Sequence, residues 1–207
     1  MSVLLTALQY LVLLFSLILH EVAHGTMALS LGDTTAKDMG RLTFNPLKHL
    51  DPVGSVLMPI FTYLISLGRF AFGWAKPVPF NPLNFKNPLR DTALTAAAGP
   101  LANFALAALL SLVVRFRAAF HLSGAALEFI QLAILINLVW FVFNLIVIPP
   151  FDGSKILFYF TKGSSLEKFL YRYSLPLLLI ILIFGSDFVV FIASIIFKFL
   201  TGIPIPL

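Results

Sequence analysis

Long apolar runs dominate this chain of 207 residues and decide what it can fold into. Hydrophobic residues make up 59% of the sequence and charged residues only 11%. Five apolar segments stand out, at residues 3–31, 53–67, 92–114, 127–148 and 173–200. Because about 20 apolar residues cross a bilayer as one helix, the pattern predicts an all-α membrane protein. We expect a polytopic bundle of about 4–6 transmembrane or re-entrant helices.

The second apolar segment is shorter than a membrane span and has Pro59 near its middle. Proline interrupts helical hydrogen bonding, so this segment is predicted to be a re-entrant or broken helix. The loops at 32–52, 68–91 and 155–172 are all basic, which favours the cytoplasmic side of the membrane for each of them. The first two loops share a side only if the second segment does not cross.

This topology places the N-terminus outside, with Arg115 and Arg117 as exceptions to the charge rule. The formal net charge of +5 is attributed to membrane orientation, and no nucleic-acid partner is expected. The apolar segments are separated by short loops, so residues 1–207 are predicted to form a single membrane domain without sensor or scaffold modules. The chain has no cysteine, so any metal must be bound by His, Asp or Glu.

Three metal-binding side chains lie inside the first apolar segment, in the stretch "LFSLILHEVAHGTMALSLG" at residues 14–32. His20 and His24 are four residues apart and share one helix face, while Glu21 lies beside them; this is the HExxH spacing of zinc hydrolases. Each ionisable group inside a membrane helix costs about 2.5–3.5 kcal/mol, which favours a compensating metal. The alternative is a chance match, with both histidines hydrogen-bonded in a polar seam.

A third ligand is predicted at Asp152, in "NLIVIPPFDGSKIL". Pro149-Pro150 is expected to break the helix and Gly153 to let the backbone turn, so that unwound chain presents the carboxylate. The alternative is that Asp152 is the N-cap of the next helix. The other candidates are less suitable: His49 and His121 lie in loops, and Asp187 is expected near a helix start. Glu128 also remains as a candidate.

The connecting segments carry further signals. Asn87-Pro88 is typical of a helix start, and the stretch 164–167 of a capping box on a short surface helix. The stretches "TTAKDMGRLTFNP" and "GWAKPVPFNP" predict short extended segments after the histidine helix. Such edges, at 39–44 or 73–80, could hold an unwound peptide by strand addition.

Several motifs together resemble the site-2 proteases, which are intramembrane zinc metalloproteases, in their small form without PDZ or CBS domains. The resemblance covers most of the chain. "HEVAHG" is similar to the zinc helix, and "MGRLTFNPLKHLDPVGSVLMP" and "FGWAKPVPFNP" to the segments that follow it. "AAGPLANF" resembles the family's GPxxN motif, and "FNLIVIPPFDGS" its NxxPxPPxDG motif, with Val147 in place of a proline.

The resemblance implies one zinc ion held by His20, His24 and Asp152, with Glu21 as the catalytic acid and base. It also implies that Asn103 and Asn144 flank the cleft and hold the substrate backbone or stabilise an oxyanion. Two other residues, one small and one polar, are given structural rather than catalytic roles. Gly99 is expected to serve close helix packing, and Asn137 to bond a neighbouring helix.

The expected function is zinc-dependent endopeptidase cleavage of transmembrane segments of membrane-protein substrates within the lipid bilayer. Regulated intramembrane proteolysis and signal-peptide clearance are both compatible with it, and the family's habit points to a prokaryotic cytoplasmic membrane. The alternatives are a divalent-cation transporter and a catalytically inactive membrane adaptor. A transporter is disfavoured because the sequence shows one tight cluster and no internal repeat.

Overall fold

The computed structural model describes residues 3–65, 76–122 and 124–205. Within them the chain forms helices, short turns and loops, and no strand. The helices are α1 (Val3–Ser30), α2 (Thr35–Asp38), α3 (Met58–Ile65), α4 (Pro88–Arg115), α5 (Gly124–Asn144), α6 (Asp152–Phe160), α7 (Ser165–Arg172), α8 (Ser174–Phe184) and α9 (Ser186–Thr201). The predicted all-α class is confirmed.

Among the described residues, three stretches are long and apolar enough to cross a membrane: Leu8–Ser30, Pro88–Arg115 and Gly124–Asn144. A fourth span is possible if α8 and α9 are taken together, although they are bent by 64°. The sequence predicted one continuous segment there, and the break falls at Gly185. A Cβ on Gly185 would lie 2.7 Å from the carbonyl oxygen of Ile181, so this bend is compatible with glycine and crowded for any other residue. The number of spans agrees with a polytopic membrane bundle.

The second apolar segment forms the shorter helix Pro52–Ile65. Its first part, Pro52–Leu57, is a π-helical turn that continues into α3. The carboxylate of Asp51 begins the turn by accepting hydrogen bonds from the amides of Val53 (3.0 Å) and Gly54 (2.6 Å). The helix is shorter than a membrane span and irregular, as predicted. Its re-entrant course stays a prediction, and residues 66 and 67 lie outside the described residues.

Helix α4 occupies the centre of the bundle and packs against α1, α5, α6 and α9. Its buried positions include small residues, which let neighbouring backbones approach closely. Between α4, α5 and α9 lies an apolar core formed by Ala107, Val114, Ile134, Leu138, Ala193 and Phe197. The other end of α4 contacts α1 and α6, the two helices that carry the candidate ligands.

The connection from α5 to α6 differs from the expectation in two respects. Helix α5 ends at Asn144, before Pro149-Pro150, which are joined by a cis peptide bond. Asp152 and Gly153 both lie inside α6, so the first turn of a helix, and not unwound chain, presents the Asp152 carboxylate, and Gly153 is not a turn residue. A Cβ there would lie 2.5 Å from the carbonyl carbon of Leu145, so glycine is needed for the close approach of α6 to the preceding chain.

Two predicted helix starts are confirmed at the right positions. Ser164 caps α7 by accepting a hydrogen bond from the amide of Glu167 at 3.2 Å, and the Glu167 carboxylate accepts one from the Gly163 amide at 2.8 Å. Asn87 is the N-cap of α4, but its side chain makes no capping bond. Instead the carboxylate of Asp91 reaches back and accepts a hydrogen bond from the Asn87 amide at 3.0 Å.

Candidate metal centre

Three buried side chains from two distant parts of the sequence converge beside α4. His20 and His24 come from α1, and Asp152 is the first residue of α6. The Oδ2 atom of Asp152 lies 3.1 Å from Nε2 of His20 and 3.0 Å from Nε2 of His24, and the two Nε2 atoms are 2.9 Å apart. Across the described part of the chain, this is the one group of three or more such side chains arranged to hold a metal ion.

Zinc suits this donor set in chemistry and in size. Two imidazole nitrogens and one carboxylate oxygen leave a fourth, open position, as in catalytic zinc sites. Tetrahedral zinc places its donor atoms roughly 3.3 Å apart, so the three atoms would need to separate by only a few tenths of an ångström. Gly99 of α4 faces the same atoms: a Cβ there would lie 2.7 Å from Nε2 of His20 and would clash with Nε2 of His24.

The second nitrogen of each histidine has its own acceptor. Nδ1 of His20 lies 2.8 Å from Oδ1 of Asn103, and Nδ1 of His24 lies 2.7 Å from the carbonyl oxygen of Thr95. If each Nδ1 carries the proton and donates it to these oxygens, each Nε2 keeps a free lone pair directed at Asp152. Metal-binding histidines are commonly oriented in this way.

Asn103 is fully buried and joins three helices. Its amide nitrogen donates to the carbonyl oxygen of Ser16 at 3.0 Å and to Oδ1 of Asn137 at 2.9 Å. Both of its N–H groups are therefore engaged, and its oxygen faces His20, which favours a positioning role over oxyanion binding. The prediction that Asn137 bonds a neighbouring helix is confirmed by this contact.

Asp152 is bound through both of its carboxylate oxygens. While Oδ2 faces the histidines, Oδ1 accepts a hydrogen bond from the Lys155 ammonium at 2.9 Å, one turn along α6. The same ammonium lies 5.9 Å from the ring centroid of Phe80. Lys155 therefore leaves a single oxygen of Asp152 directed at the metal position.

Glu21 lies beside the histidines and is half-buried. Its Oε2 atom accepts a hydrogen bond of 2.7 Å from the backbone amide of Val78, in the segment that precedes α4. Only one of its carboxylate oxygens is used in this contact. The other expected cleft residue, Asn144, ends α5 and donates from its side chain to the carbonyl oxygen of Trp140 at 3.0 Å.

The remaining acidic and histidine candidates lie outside the cluster. His49 is buried and donates from Nε2 to the carbonyl oxygen of Thr43 at 2.8 Å. His121 and Glu128 are exposed, and Asp187 lies in the first turn of α9 as expected. Asp152 is one position inside α6, after the N-cap residue Phe151. The N-cap alternative for Asp152 is therefore wrong.

Sequence reasoning missed the groups that support the ligands. The Thr95 carbonyl and the Val78 amide are main-chain atoms, for which a side-chain pattern gives no signal. Lys155 could have been found, since it follows Asp152 by one helical turn. Gly99 was assigned correctly to close packing, but the sequence did not show that it packs against the two histidines.

The chain is similar to known proteins that are named as zinc metalloproteases. The chain is 38% identical over 161 residues to a Bacillus subtilis protein named "Putative zinc metalloprotease YwhC", covering 74% of this chain and 69% of that protein. It is 35% identical over 146 residues to "Putative zinc metalloprotease Rip2" of Mycolicibacterium smegmatis, covering 68% and 52% of the two chains. The Rip2 protein of Mycobacterium tuberculosis is 34% identical over 149 residues, covering 70% and 53%.

The chain belongs to the site-2 protease family. It spans about half the length of the two mycobacterial relatives. No family model and no solved structure matches it. The relatives' names support a zinc metalloprotease role for this site-2 protease family member, and its apolar helices make it a membrane protein.

Proposed function

We propose that this protein is an intramembrane zinc endopeptidase that cleaves transmembrane segments of other membrane proteins. The observation that carries the proposal is the buried cluster of His20, His24 and Asp152, whose two histidines lie within the apolar span Leu8–Ser30. Glu21, which is next to His20 on α1, is proposed as the general base. One zinc ion per chain and a prokaryotic cytoplasmic membrane are parts of the same proposal.

His20, His24 and Asp152 would hold the zinc, with Asn103, the Thr95 carbonyl and Lys155 fixing their orientation. A zinc ion held there would lower the pKa of a bound water molecule to about 7 and would polarise a peptide carbonyl.

Glu21 takes a proton from the attacking water on its carboxylate and returns it to the nitrogen of the leaving amine. Asn144, at the end of α5, is proposed to donate its amide to the oxygen that gains negative charge.

Zinc content and cleavage, measured together, test this proposal. Cleavage is measured in liposomes on a fusion protein in which a single transmembrane segment joins two fluorophores. We expect one zinc ion per wild-type chain and little or none in His20→Ala and Asp152→Ala. Glu21→Gln should keep zinc and lose cleavage, because an amide cannot accept the proton, while Glu128→Gln on the exposed face of α5 is the control. Full zinc retention by Asp152→Ala would contradict the ligand assignment.

Two further variants separate the asparagines. Asn103→Ala should weaken zinc affinity by roughly 10–100-fold, since it removes the acceptor of His20. Asn144→Ala should lower turnover with zinc affinity unchanged. If liposomes that contain the protein take up divalent cations but the fusion protein is not cleaved, a transporter would be favoured. If the protein binds zinc but neither transports cations nor cleaves the fusion protein, an inactive adaptor would be favoured.

A further inference from the structure

The segment 76–85, which leads into α4, lies against α1 beside the metal centre. Three of its backbone amides donate to residues of the preceding part of the chain. Lys76 donates to the carbonyl oxygen of His49 at 2.8 Å, Val78 to Glu21 at 2.7 Å, and Asn81 to Asp33 at 2.8 Å. The middle contact holds the carboxylate proposed as general base.

The local sequence, "KPVPF" at 76–80, restricts which atoms can make that middle contact. Pro77 and Pro79 have no N–H group, so Val78 is the one main-chain donor between them. Residues that precede proline favour extended backbone, which limits the directions that Lys76 and Val78 can adopt. The Val78 amide is therefore a donor of fixed orientation.

Side-chain packing holds the same point against α1. Val78 is 5% exposed. A Cβ on Gly25, one turn along α1 from Glu21, would lie 2.7 Å from Val78 Cγ1 and 2.5 Å from Leu42 Cδ2. The missing side chain of Gly25 is what allows segment 76–85 to approach the helix so closely.

Asp33, three residues after the end of α1, anchors the far end of the segment. It is fully buried and accepts hydrogen bonds from the Asn81 amide at 2.8 Å and from the Asn84 side chain at 2.6 Å. The amide and hydroxyl of Thr35 add contacts of 3.1 and 2.5 Å. Burial alone would raise the pKa of Asp33, but hydrogen bonds from Thr35, Asn84 and Asn81 outweigh it and lower the pKa. The side chain is thus a carboxylate at neutral pH.

We propose that Asp33 is a positioning residue for catalysis, which holds segment 76–85 so that the Val78 amide fixes one oxygen of Glu21. The inference rests on the proposed function. With Oε2 held by Val78, the other oxygen, Oε1, stays available for the proton that moves from water to the leaving amine. The segment stays in place during turnover, as part of the catalytic centre.

The first test compares Asp33→Asn with Asp38→Asn in the zinc-loaded protein. Asp33→Asn would replace one carboxylate oxygen with an amide donor, at a site where the Asn81 amide, the Asn84 side chain and Thr35 all donate to the native carboxylate. Asp38 is exposed and accepts a hydrogen bond from the nearby Thr34 hydroxyl. We expect Asp33→Asn to keep zinc, to exchange the amide hydrogens of 76–85 faster, and to lower kcat roughly tenfold to hundredfold with little change in KM. Asp38→Asn should match wild type in all three measurements.

A cross-link provides a second test that does not depend on a weakened fold. Thr35 Oγ1 and Asn84 Nδ2 are 3.3 Å apart, and the chain has no native cysteine, so Thr35→Cys with Asn84→Cys can be joined by a short reducible thiol cross-linker. Both substitutions also remove donors to the Asp33 carboxylate, so we expect the reduced double variant to cleave slowly. Closing the cross-link should restore kcat, with or without Asp33→Asn. Loss of cleavage on closing, with recovery on reduction, would show that the segment must leave and would overturn the proposal.

The outcomes separate the two proposals. If the wild type cleaves the fusion protein but Asp33→Asn has the same kcat or the same hydrogen exchange as wild type, the role of Asp33 alone would be overturned. Loss of zinc in that variant would also overturn it, because the effect would then act through the ligands. A zinc-loaded wild type that does not cleave the fusion protein would overturn both.

Discussion

At the scale of single residues, Gly99 is a point at which α4 lies close to the imidazole rings of His20 and His24. A Cβ added there would lie 2.7 Å from Nε2 of His20 and 2.6 Å from Cε1 of His24. Neither ring can move away without losing a contact to α4, because Nδ1 of His20 lies within hydrogen-bonding distance of Asn103 and Nδ1 of His24 within that distance of the Thr95 carbonyl. The glycine therefore keeps the metal position open as well as allowing the helices to approach.

Gly99→Ala is expected to lose zinc. One added methyl group displaces the imidazole nitrogens that would bind the ion, so zinc content per chain should fall well below that of wild type. Ala98→Ser, which adds one atom at the neighbouring position, is the control and should keep its zinc. Metal analysis after gentle purification measures both. Normal zinc content and cleavage in Gly99→Ala would contradict the close approach of α1 and α4.

The candidate ligands could be predicted from the sequence because their chemistry leaves a local signature. His20, Glu21 and His24 are close along one helix, and Asp152 follows an unusual pair of prolines. Their supports could not be predicted in the same way. Asn103 lies 83 residues from His20 and Val78 lies 57 residues from Glu21, so only the tertiary fold shows these contacts.

At the scale of elements, helix boundaries were predicted well where a cap or proline marks them and less well where packing decides. The starts of α4 and α7 follow local signals, whereas the break between α8 and α9 at Gly185 carries no cap. The first predicted extended stretch, 34–46, is wrong in part, because it contains the short helix α2 (Thr35–Asp38), at whose start the Asp33 carboxylate accepts a hydrogen bond from the Thr35 amide. Neither stretch forms a strand in the described residues 39–44 and 76–80, and 73–75 lie outside the described part of the chain.

The strand-addition hypothesis is best tested at Leu42. Proline at Val78 would remove the amide that holds Glu21, so it would lower turnover whether or not a substrate pairs with that segment. Leu42→Pro removes a main-chain donor from 39–44, and Leu42→Ala keeps it as the control. If a substrate pairs there, the proline variant should cleave more slowly than the alanine variant, with zinc bound in both. Equal cleavage by the two variants would exclude pairing through this amide.

At the scale of the whole molecule, the charged loops predict one orientation in the membrane. The basic loops 32–52 and 155–172 should face the cytoplasm, and the connection between α4 and α5 should face outside. That connection includes Arg115 and Arg117, so the prediction depends on the larger number of basic residues on the other side. A single membrane domain over residues 1–207 likewise stays a prediction.

Single-cysteine labelling measures this orientation directly, since the native chain has no cysteine. Lys37→Cys and Lys168→Cys should resist a membrane-impermeant maleimide added to intact cells and react after permeabilisation. His121→Cys, at an exposed turn, should react in intact cells. Labelling of residue 37 in intact cells would show that the protein has the opposite orientation. If only one of residues 37 and 168 is labelled in intact cells, the number of membrane crossings between them differs from the prediction.

The distance along the chain between the ligands also determines when the site can form. His20 and Asp152 are 132 residues apart, and the metal-binding group needs both. A ribosome that has translated only the first three apolar segments has made a histidine pair without its carboxylate. The growing chain therefore cannot assemble the complete ligand set until α6 has been synthesised and has docked on α4.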